Sequence, residues 1–231
     1  MPMTVQEAFG KNPYPGRGLL LGLTPNKKHA VLAYFIMGRS ESSRNRIFIR
    51  DNEDIYTKAR EEDKCVHPEL LLYAPVRTQK NTVVVGNGDQ TDTVFAALSE
   101  GGDFETALLS RTFEPDAPNY TPRITGLLYP YEKHCELSVL SCPDGDGVAC
   151  ERRTYRLPLT PGNAYALHTY WQGDPTQPFR GEPLTLATMD EMALFTGLLW
   201  DALDSDNRIS LYVRYISIRD KTYTDSLINR Y

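Results

Sequence analysis

The sequence predicts an α+β fold in which two stacked β-sheets are flanked by helices. About ten short segments have the composition of strands, whereas only about three segments have a helical pattern. Several of the strands are apolar almost continuously rather than at alternate positions, which is typical of strands covered on both faces. Such sheets need a covering layer on each side, so we expect sheet against sheet with helices outside. No repeat or linker divides the chain, and we expect one domain over residues 1–231.

The predicted strands follow one another along most of the chain. The nearly continuous apolar segments are GLLLGL, AVLAYFIM, LLLYAPV, TVVVG and AYALHTYW. Further strand candidates are NRIFIR, RITGLLY, CELSVLSC, RTYRLPL and RISLYVRYISI. In the last of these the apolar phase slips at Tyr215 and Ile216, which indicates either a bulge or a segment buried on both faces.

Three helices are predicted to cover the sheets. DQTDTVFAALSE opens with cap-forming residues directly after a strand and ends at Gly101 and Gly102. Asp103 can then cap a second, short helix over FETALLSR. TMDEMALFTGLLWDAL begins with Thr188 and Glu191 at the spacing of a capping box and continues with an apolar stripe.

The composition excludes several classes of protein. A hydrophobic content of 41% and a charged content of 24% are ordinary for a globular protein. The 25 basic and 30 acidic residues give a net charge of -5, which argues against a general nucleic-acid binder. No apolar run approaches the roughly 20 residues that cross a bilayer, and MPMTVQEAFG does not have the pattern of a signal peptide. We therefore expect a cytoplasmic protein that binds neither membranes nor nucleic acid.

Neither the cysteines nor the acidic loops have the spacing of a metal site. The four cysteines lack the close pairs of zinc ribbons, so we interpret them as structural or incidental thiols. CPDGDGVAC has the acids Asp144 and Asp146 of a calcium loop, but it lacks the closing Glu and lies between two strand candidates. A hairpin turn is the better interpretation, and we expect no metal.

The segment IMGRSESSRNR combines small donors with guanidinium groups after a predicted strand. Backbone, hydroxyl and amide donors can converge there on a phosphate, and arginine adds planar bidentate geometry. The alternative is a solvated loop with surface arginines. Arg17 in PYPGRG and Arg77 in YAPVR can add charge, although single arginines are more often surface or packing residues. The donors of the segment are Arg39, Ser40, Ser42, Ser43, Arg44, Asn45 and Arg46.

The segment VVVGNGDQTD leads from a buried strand through two glycines into the start of a helix. Unpaired N–H groups point outward at such a junction, which makes it a common site for polar ligands. Asn87 and Asp89 in the turn are candidates for contacting a ligand. The alternative is that Asp89, Thr91 and Asp92 only cap the helix.

A third segment, FEPDAPNYTPRITG, is a proline-held loop before a strand. It concentrates polar groups that could present a general acid or base rigidly, although many surface loops have this composition. These groups are Glu114, Asp116, Asn119, Tyr120 and Arg123.

Taken in order, five motifs resemble the archaeal-type IMP cyclohydrolase family over about the first 130 residues. The motifs are GRG, GRSESSRNR, YAPVR, NGDQTD and TPRITG. The resemblance implies closure of the pyrimidine ring of a formylated aminoimidazole carboxamide ribonucleotide, which releases water and yields IMP without a cofactor. It also implies a four-layer αββα sandwich of the N-terminal nucleophile hydrolase type and a homo-oligomer.

The resemblance assigns roles to residues of these motifs. Ring closure requires alignment, stabilisation of an oxyanion and a proton for the departing water. Phosphate binding would fall to Arg44 and Arg46 with Ser40, Ser43 and Asn45, with extra charge from Arg17 and Arg77. Electrophilic contacts would come from Arg39, Tyr73 and Arg123, proton transfer from Glu114 or Asp116, and base or ribose contacts from Asn87, Asp89, Thr91 and Asp92. A nucleotide-binding protein without catalysis, or a nucleotide or amide hydrolase, would keep the same phosphate site.

Overall fold

The computed structural model describes residues 1–65 and 68–231. Its strands are β1 (Arg17–Leu23), β2 (His29–Met37), β3 (Arg46–Asp51), β4 (Asp54–Ala59), β5 (Val76–Gln79), β6 (Thr82–Gly86), β7 (Arg123–Tyr129), β8 (His134–Ser141), β9 (Glu151–Pro158), β10 (Asn163–His168), β11 (Leu184–Ala187), β12 (Arg208–Ser217) and β13 (Tyr223–Asn229). Its α-helices are α1 (Val5–Phe9), α2 (Glu41–Arg44), α3 (Pro68–Leu71), α4 (Gln90–Ser99), α5 (Phe104–Leu108) and α6 (Met192–Ala202). A 3-10 turn spans Glu62–Lys64.

Across the described ranges, the strands form two antiparallel sheets. The first has six strands in the order β11-β10-β1-β2-β12-β13, and the second has seven strands in chain order from β3 to β9. Every ladder in both sheets is antiparallel. The predicted α+β class with two sheets is therefore confirmed.

Helices and sheets pack in four successive layers. Leu19 and Tyr34 of the six-stranded sheet pack between the sheets with Val85 and Ile124 of the seven-stranded sheet. On the outer face of the six-stranded sheet, α1 and α6 contribute to a second cluster, in which Phe195 is only 1% exposed. On the outer face of the seven-stranded sheet, α4 and α5 form a third cluster with β6 and β7. Because β1 and β2 have apolar layers on both sides, their sequences are apolar almost throughout.

One predicted strand is wrong. LLLYAPV contributes helix α3 at its start, and β5 begins only at Val76. Proline is favoured in the first turn of a helix, as at Pro68, whereas Pro75 has no N–H to continue a ladder. Between them, Tyr73 bonds through its backbone to Thr57 of β4, with Tyr73 N donating to Thr57 Oγ1 at 2.8 Å. The other predicted strands are present, whereas β4, β11, β13 and the short helices α1 to α3 were not predicted.

Details of the predicted helix starts and bulge have mixed outcomes. Asp103 caps α5 as expected, because its carboxylate accepts from Thr106 N at 2.9 Å. The capping box at Thr188 is wrong, since α6 begins at Met192 and the Thr188 hydroxyl donates to Leu23 O at 2.7 Å. Tyr215 and Ile216 of β12 stay in register with β2, so of the two predicted alternatives the segment buried on both faces is correct. The register shift of β12 lies at its other end, between Arg208 and Ser210.

The loop between β8 and β9 and the four cysteines complete the description of the fold. CPDGDGVAC joins β8 to β9 as a hairpin, as predicted. All four cysteines are free thiols. Within residues 1–65 and 68–231, no group of three or more His, Cys, Asp or Glu side chains is placed to hold a metal ion. None of the helices that the structure describes has both the length and the apolar character that a membrane crossing requires.

Candidate functional site

A cleft of about 540 Å³ lies where the end of β2, the start of β1 and the loop before β7 meet. One wall comes from the segment after β2 and the opposite wall from the loop that carries the predicted acids. Its polar lining includes Tyr14, Arg17, Arg39, Ser40, Ser42, Ser43, Arg46, Glu114, Asp116, Asn119 and Tyr170. The first and third segments that were singled out in the sequence thus meet in space.

The wall after β2 depends on a tight turn into α2. A Cβ on Gly38 would lie 2.7 Å from Ser43 Oγ and 2.8 Å from the Ser43 backbone, so only glycine allows this approach. Ser40 caps the four-residue helix, because its hydroxyl accepts from Ser43 N at 3.2 Å. Ser43 Oγ donates back to Ser40 O at 2.9 Å. Both hydroxyl groups are therefore held at the mouth of the cleft.

Arg46 lies at the floor of the cleft and is only 1% exposed. Its Nε donates to Ser43 O at 2.9 Å, and its Nη2 donates to Met37 O at 3.3 Å. Nη1 is buried and has no hydrogen-bond partner in the part of the chain that the structure describes. A buried donor without a partner is unfavourable by about 1–3 kcal/mol, and more for a charged group. An anion in the cleft would supply the missing acceptor.

Glu114 lies on the same floor, paired with Arg17. The distance from Arg17 Nη1 to Glu114 Oε2 is 3.2 Å, and the two side chains are 10% and 2% exposed. Glu114 N donates to Thr121 O at 2.8 Å, which fixes the loop. Burial raises the pKa of Glu114 to about 7, although the guanidinium groups of Arg17 and Arg123 act in the opposite direction. Near neutral pH this carboxyl group can therefore give up or accept a proton.

An aromatic wall lines the same cleft as the segment after β2. The Arg39 guanidinium lies 4.2 Å from the centre of the Tyr14 ring, and Tyr14 stacks on Tyr170 at 5.7 Å between ring centres. Gly16 makes room for this stack: its φ is +81°, and a Cβ there would lie 2.6 Å from the Tyr170 ring. Arg39, Tyr14 and Tyr170 thus form one stacked group in the lining of the cleft.

Asp116 is joined to this wall by hydroxyl groups. Its carboxylate accepts from Thr121 N at 2.7 Å and from Thr121 Oγ1 at 2.5 Å. Thr121 Oγ1 in turn lies 2.6 Å from Tyr170 Oη. A line of hydrogen bonds therefore connects the predicted acid to a cleft-lining phenol.

The residues near the start of α4 that were predicted to contact a ligand form hydrogen bonds and ion pairs with other residues of the protein. Asn87 Oδ1 accepts from Ile124 N at 2.8 Å, and Asn87 Nδ2 donates to Pro122 O at 2.8 Å. Arg123 Nη1 lies 2.8 Å from Asp89 Oδ1, and Asp89 also pairs with Arg111. These contacts place the three predicted residues behind the acid-bearing loop, where they support it rather than line the cleft.

Arg44 and Asn45 lie away from the cleft, although they were predicted to bind phosphate. Arg44 Nε donates to Gly38 O at 3.0 Å, and Arg44 contributes to a separate surface depression with Arg60 and Lys64. Asn45 is buried and bonds to Glu61, donating to its carbonyl at 2.6 Å and accepting from its N–H at 3.0 Å. Their side chains thus stabilise the segment that presents Arg46.

Arg77, Thr91 and Asp92 lie outside the cleft as well. Side chains alternate along β5, so Val76 faces the space between the sheets and Arg77 faces α4. There Arg77 Nε lies 2.8 Å from Asp54 Oδ2, and the same guanidinium pairs with Asp92. Thr91 Oγ1 donates to Ala74 O at 2.6 Å. The three residues join α4 to the seven-stranded sheet.

Tyr73 is buried beneath the cleft rather than in its lining. Its hydroxyl lies 2.8 Å from the hydroxyl of Tyr34, and both phenols lie near the guanidinium of Arg17. Burial raises the pKa of Tyr34, and the neighbouring Tyr73 adds to this. Both phenols therefore support the buried ion pair from below.

Two polar residues of the cleft, and the fully buried Thr121 that bonds to one of them, were missed from the sequence. Tyr14 and Thr121 stand inside the quoted motifs PYPGRG and TPRITG, and an aromatic or hydroxyl group beside a predicted arginine was the available signal. Tyr170 lies at the end of the segment AYALHTYW and had no local signal, because its partner Thr121 is 49 residues away.

A comparison with known families finds a match over most of the chain. A family model described as IMP cyclohydrolase-like protein matches residues 14–221, a range that includes Tyr14 at one end and extends well beyond Tyr170. No curated protein matches the chain significantly. The matched range covers most of the 231 residues, including every polar group of the cleft named above. The chain therefore belongs to the IMP cyclohydrolase-like protein family.

Proposed function

We propose that the protein is an IMP cyclohydrolase, which closes the ring of a formylated aminoimidazole carboxamide ribonucleotide and releases water. The observation that carries the proposal is Arg46, which lines the cleft and whose buried Nη1 has no hydrogen-bond partner among the described residues. Family membership supports the same reaction. We also propose one domain with the sandwich of N-terminal nucleophile hydrolases, supported by the order of its four layers.

The phosphate of the substrate binds at Arg46. A guanidinium that already donates two hydrogen bonds to carbonyl groups keeps a fixed orientation, so its remaining Nη1 donor meets the phosphate with little loss of side-chain entropy. Ser40 and Ser43 lie beside it at the same wall. Arg39 lies over Tyr14 in the lining of the same cleft and adds a second positive charge. With its phosphate held, the substrate has few orientations left in the cleft.

Ring closure then requires two proton movements and stabilisation of an oxyanion. A carboxamide nitrogen is a poor nucleophile, so positioning it beside the formyl carbon contributes much of the rate. The Arg17 guanidinium stabilises the oxyanion that forms on the formyl oxygen. Glu114 supplies the proton that this oxygen needs before it leaves as water, since its pKa of about 7 keeps it partly protonated at neutral pH.

The decisive experiment supplies the pure protein with authentic formylated ribonucleotide and follows the ultraviolet absorbance of IMP. Turnover that disappears in the Arg46→Ala variant is the expected result. Tight binding of substrate that is returned unchanged would favour a non-catalytic nucleotide-binding protein. Release of ammonia, formate or phosphate would favour a hydrolase. The predicted homo-oligomer stays a prediction, which light scattering of the same sample would test.

A further inference from the structure

The line of hydrogen bonds between Asp116 and Tyr170 has a defined direction. Asp116 Oδ2 accepts the hydroxyl proton of Thr121 at 2.5 Å, and a hydroxyl has only one proton to donate. Thr121 Oγ1 must therefore be the acceptor in its contact of 2.6 Å with Tyr170 Oη. Tyr170 donates its own proton to Thr121, so the lone pairs left on its oxygen are available to an N–H group in the cleft.

We propose that Tyr170 and Thr121 form a proton relay between the cleft and Asp116. The proposal rests on the ring-closing function proposed above. It goes further in naming two hydroxyl groups that neither the motifs nor the family description assigns, and in giving the two carboxyl groups different roles. Glu114 serves as the acid for the formyl oxygen, and Asp116 serves as the base for the carboxamide nitrogen.

The proton transfers balance in both halves of the reaction. As the carboxamide nitrogen bonds to the formyl carbon, its proton passes to Tyr170, the Tyr170 proton to Thr121, and the Thr121 proton to the Asp116 carboxylate. Glu114 gives its proton to the formyl oxygen. When the resulting hydroxyl leaves, it takes the proton of Asp116 back through the same hydroxyl groups. The former formamide nitrogen then returns its proton to Glu114, and both carboxyl groups regain their starting state.

The surroundings of the two hydroxyl groups suit a relay. Thr121 is completely buried and Tyr170 is 5% exposed, so bulk water does not compete for their hydrogen bonds. Burial raises the pKa of Tyr170, which keeps the phenol neutral and able to pass one proton while accepting another. Stacking on Tyr14 and the Thr121 N–H bond to Asp116 fix both ends of the line.

Paired substitutions at Thr121 test the relay. Thr121→Val keeps the shape and removes the hydroxyl, and we expect kcat to fall about 100-fold with KM changed less than about threefold. Thr121→Ser restores the hydroxyl and should recover kcat to within about threefold of the wild type. A relay also predicts that the solvent deuterium isotope effect on kcat changes in Thr121→Val, which loss of a purely structural bond would not produce.

Tyrosine variants provide the matched control. In Tyr170→Phe, kcat should fall about as strongly as in Thr121→Val. The control is Tyr215→Phe, which removes another buried phenol and should keep the wild-type kcat. The Tyr215 hydroxyl lies outside the cleft and donates to Met189 O at 2.8 Å. The relay is overturned if the wild type makes IMP and Thr121→Val keeps full kcat. If Thr121→Val does not fold, full kcat in Tyr170→Phe overturns the relay instead. It is also overturned if Thr121→Ser is as slow as Thr121→Val. A wild-type protein that makes no IMP would instead refute the proposed function itself.

Discussion

Arg44 and Arg46 stand two positions apart and have opposite environments. Arg44 ends α2, is partly exposed and donates to Gly38 O at 3.0 Å and Asn207 Oδ1 at 3.4 Å. Arg46 begins β3, is 1% exposed and keeps one donor without a partner among the described residues. The backbone changes from helix to strand between them, and only the arginine of the strand is buried.

Under the proposed function, burial rather than charge distinguishes the binding arginine, Arg46, from the structural one, Arg44. A partly exposed guanidinium can exchange its contacts with water at little cost in free energy. A buried guanidinium with a missing acceptor gains a full hydrogen bond when an anion arrives. The variants Arg46→Ala and Arg44→Ala test whether burial separates the two arginines, and three further variants test the roles of Glu114, Asn45 and Asp92.

The largest effect is expected from Arg46→Ala. Removing a charge-assisted contact to phosphate should weaken IMP binding about 100-fold, measured by isothermal titration calorimetry. Arg44→Ala is the matched control and should change the dissociation constant by less than about threefold. Equal losses in the two variants would contradict the distinction between them. If Arg46→Ala is unstable, Arg46→Gln allows the same comparison without the charge.

A large effect is also expected from Glu114→Gln, the buried carboxyl group that is paired with Arg17. The amide cannot supply a proton, so kcat should fall about 100-fold while IMP still binds. In the wild type the active form is the protonated acid, whose pKa burial raises to about 7. The rate should therefore fall as pH rises through that value, by about tenfold per pH unit. A flat profile between about pH 6 and about pH 9 would show that Glu114 is not the acid.

A moderate effect, on stability alone, is expected from Asn45→Ala. The variant removes two hydrogen bonds to the Glu61 backbone and leaves buried groups unpaired. The free energy of unfolding, measured by urea denaturation, should decrease by about 1–3 kcal/mol. Folded protein should bind IMP nearly as well as the wild type. Strong loss of binding in the folded variant would return Asn45 to the phosphate site.

The smallest effect is expected from Asp92→Asn, on the outer side of the seven-stranded sheet. The Asp92 side chain is 52% exposed in its pair with Arg77, so the free energy of unfolding should change by less than about 1 kcal/mol. Thermal unfolding and IMP titration of the same sample check both expectations. A loss of IMP affinity comparable to that of Arg46→Ala would place the start of α4 in the binding site after all.

Much of the architecture was visible in local sequence patterns. β1, β2 and β12 were predicted because apolar side chains on both faces leave almost no polar positions in them. β4 and β13 were missed, since strands with mixed polar and apolar residues differ little from loops in composition. LLLYAPV was misassigned because a short apolar run fits a strand and a helix equally well.

The amino-acid sequence alone was sufficient for the two covered sheets and for singling out the arginine-rich segment after β2 and the acid-bearing loop, because each depends on neighbouring residues and their periodicity. It could not distinguish Arg46 from Arg44, since the burial of Arg46 depends on where β3 lies in the folded protein. Nor could it place Tyr170 against Thr121, a contact between residues 49 positions apart. Burial and long-range contacts arise only when the sheets pack, and in this protein they determine which donors face the cleft.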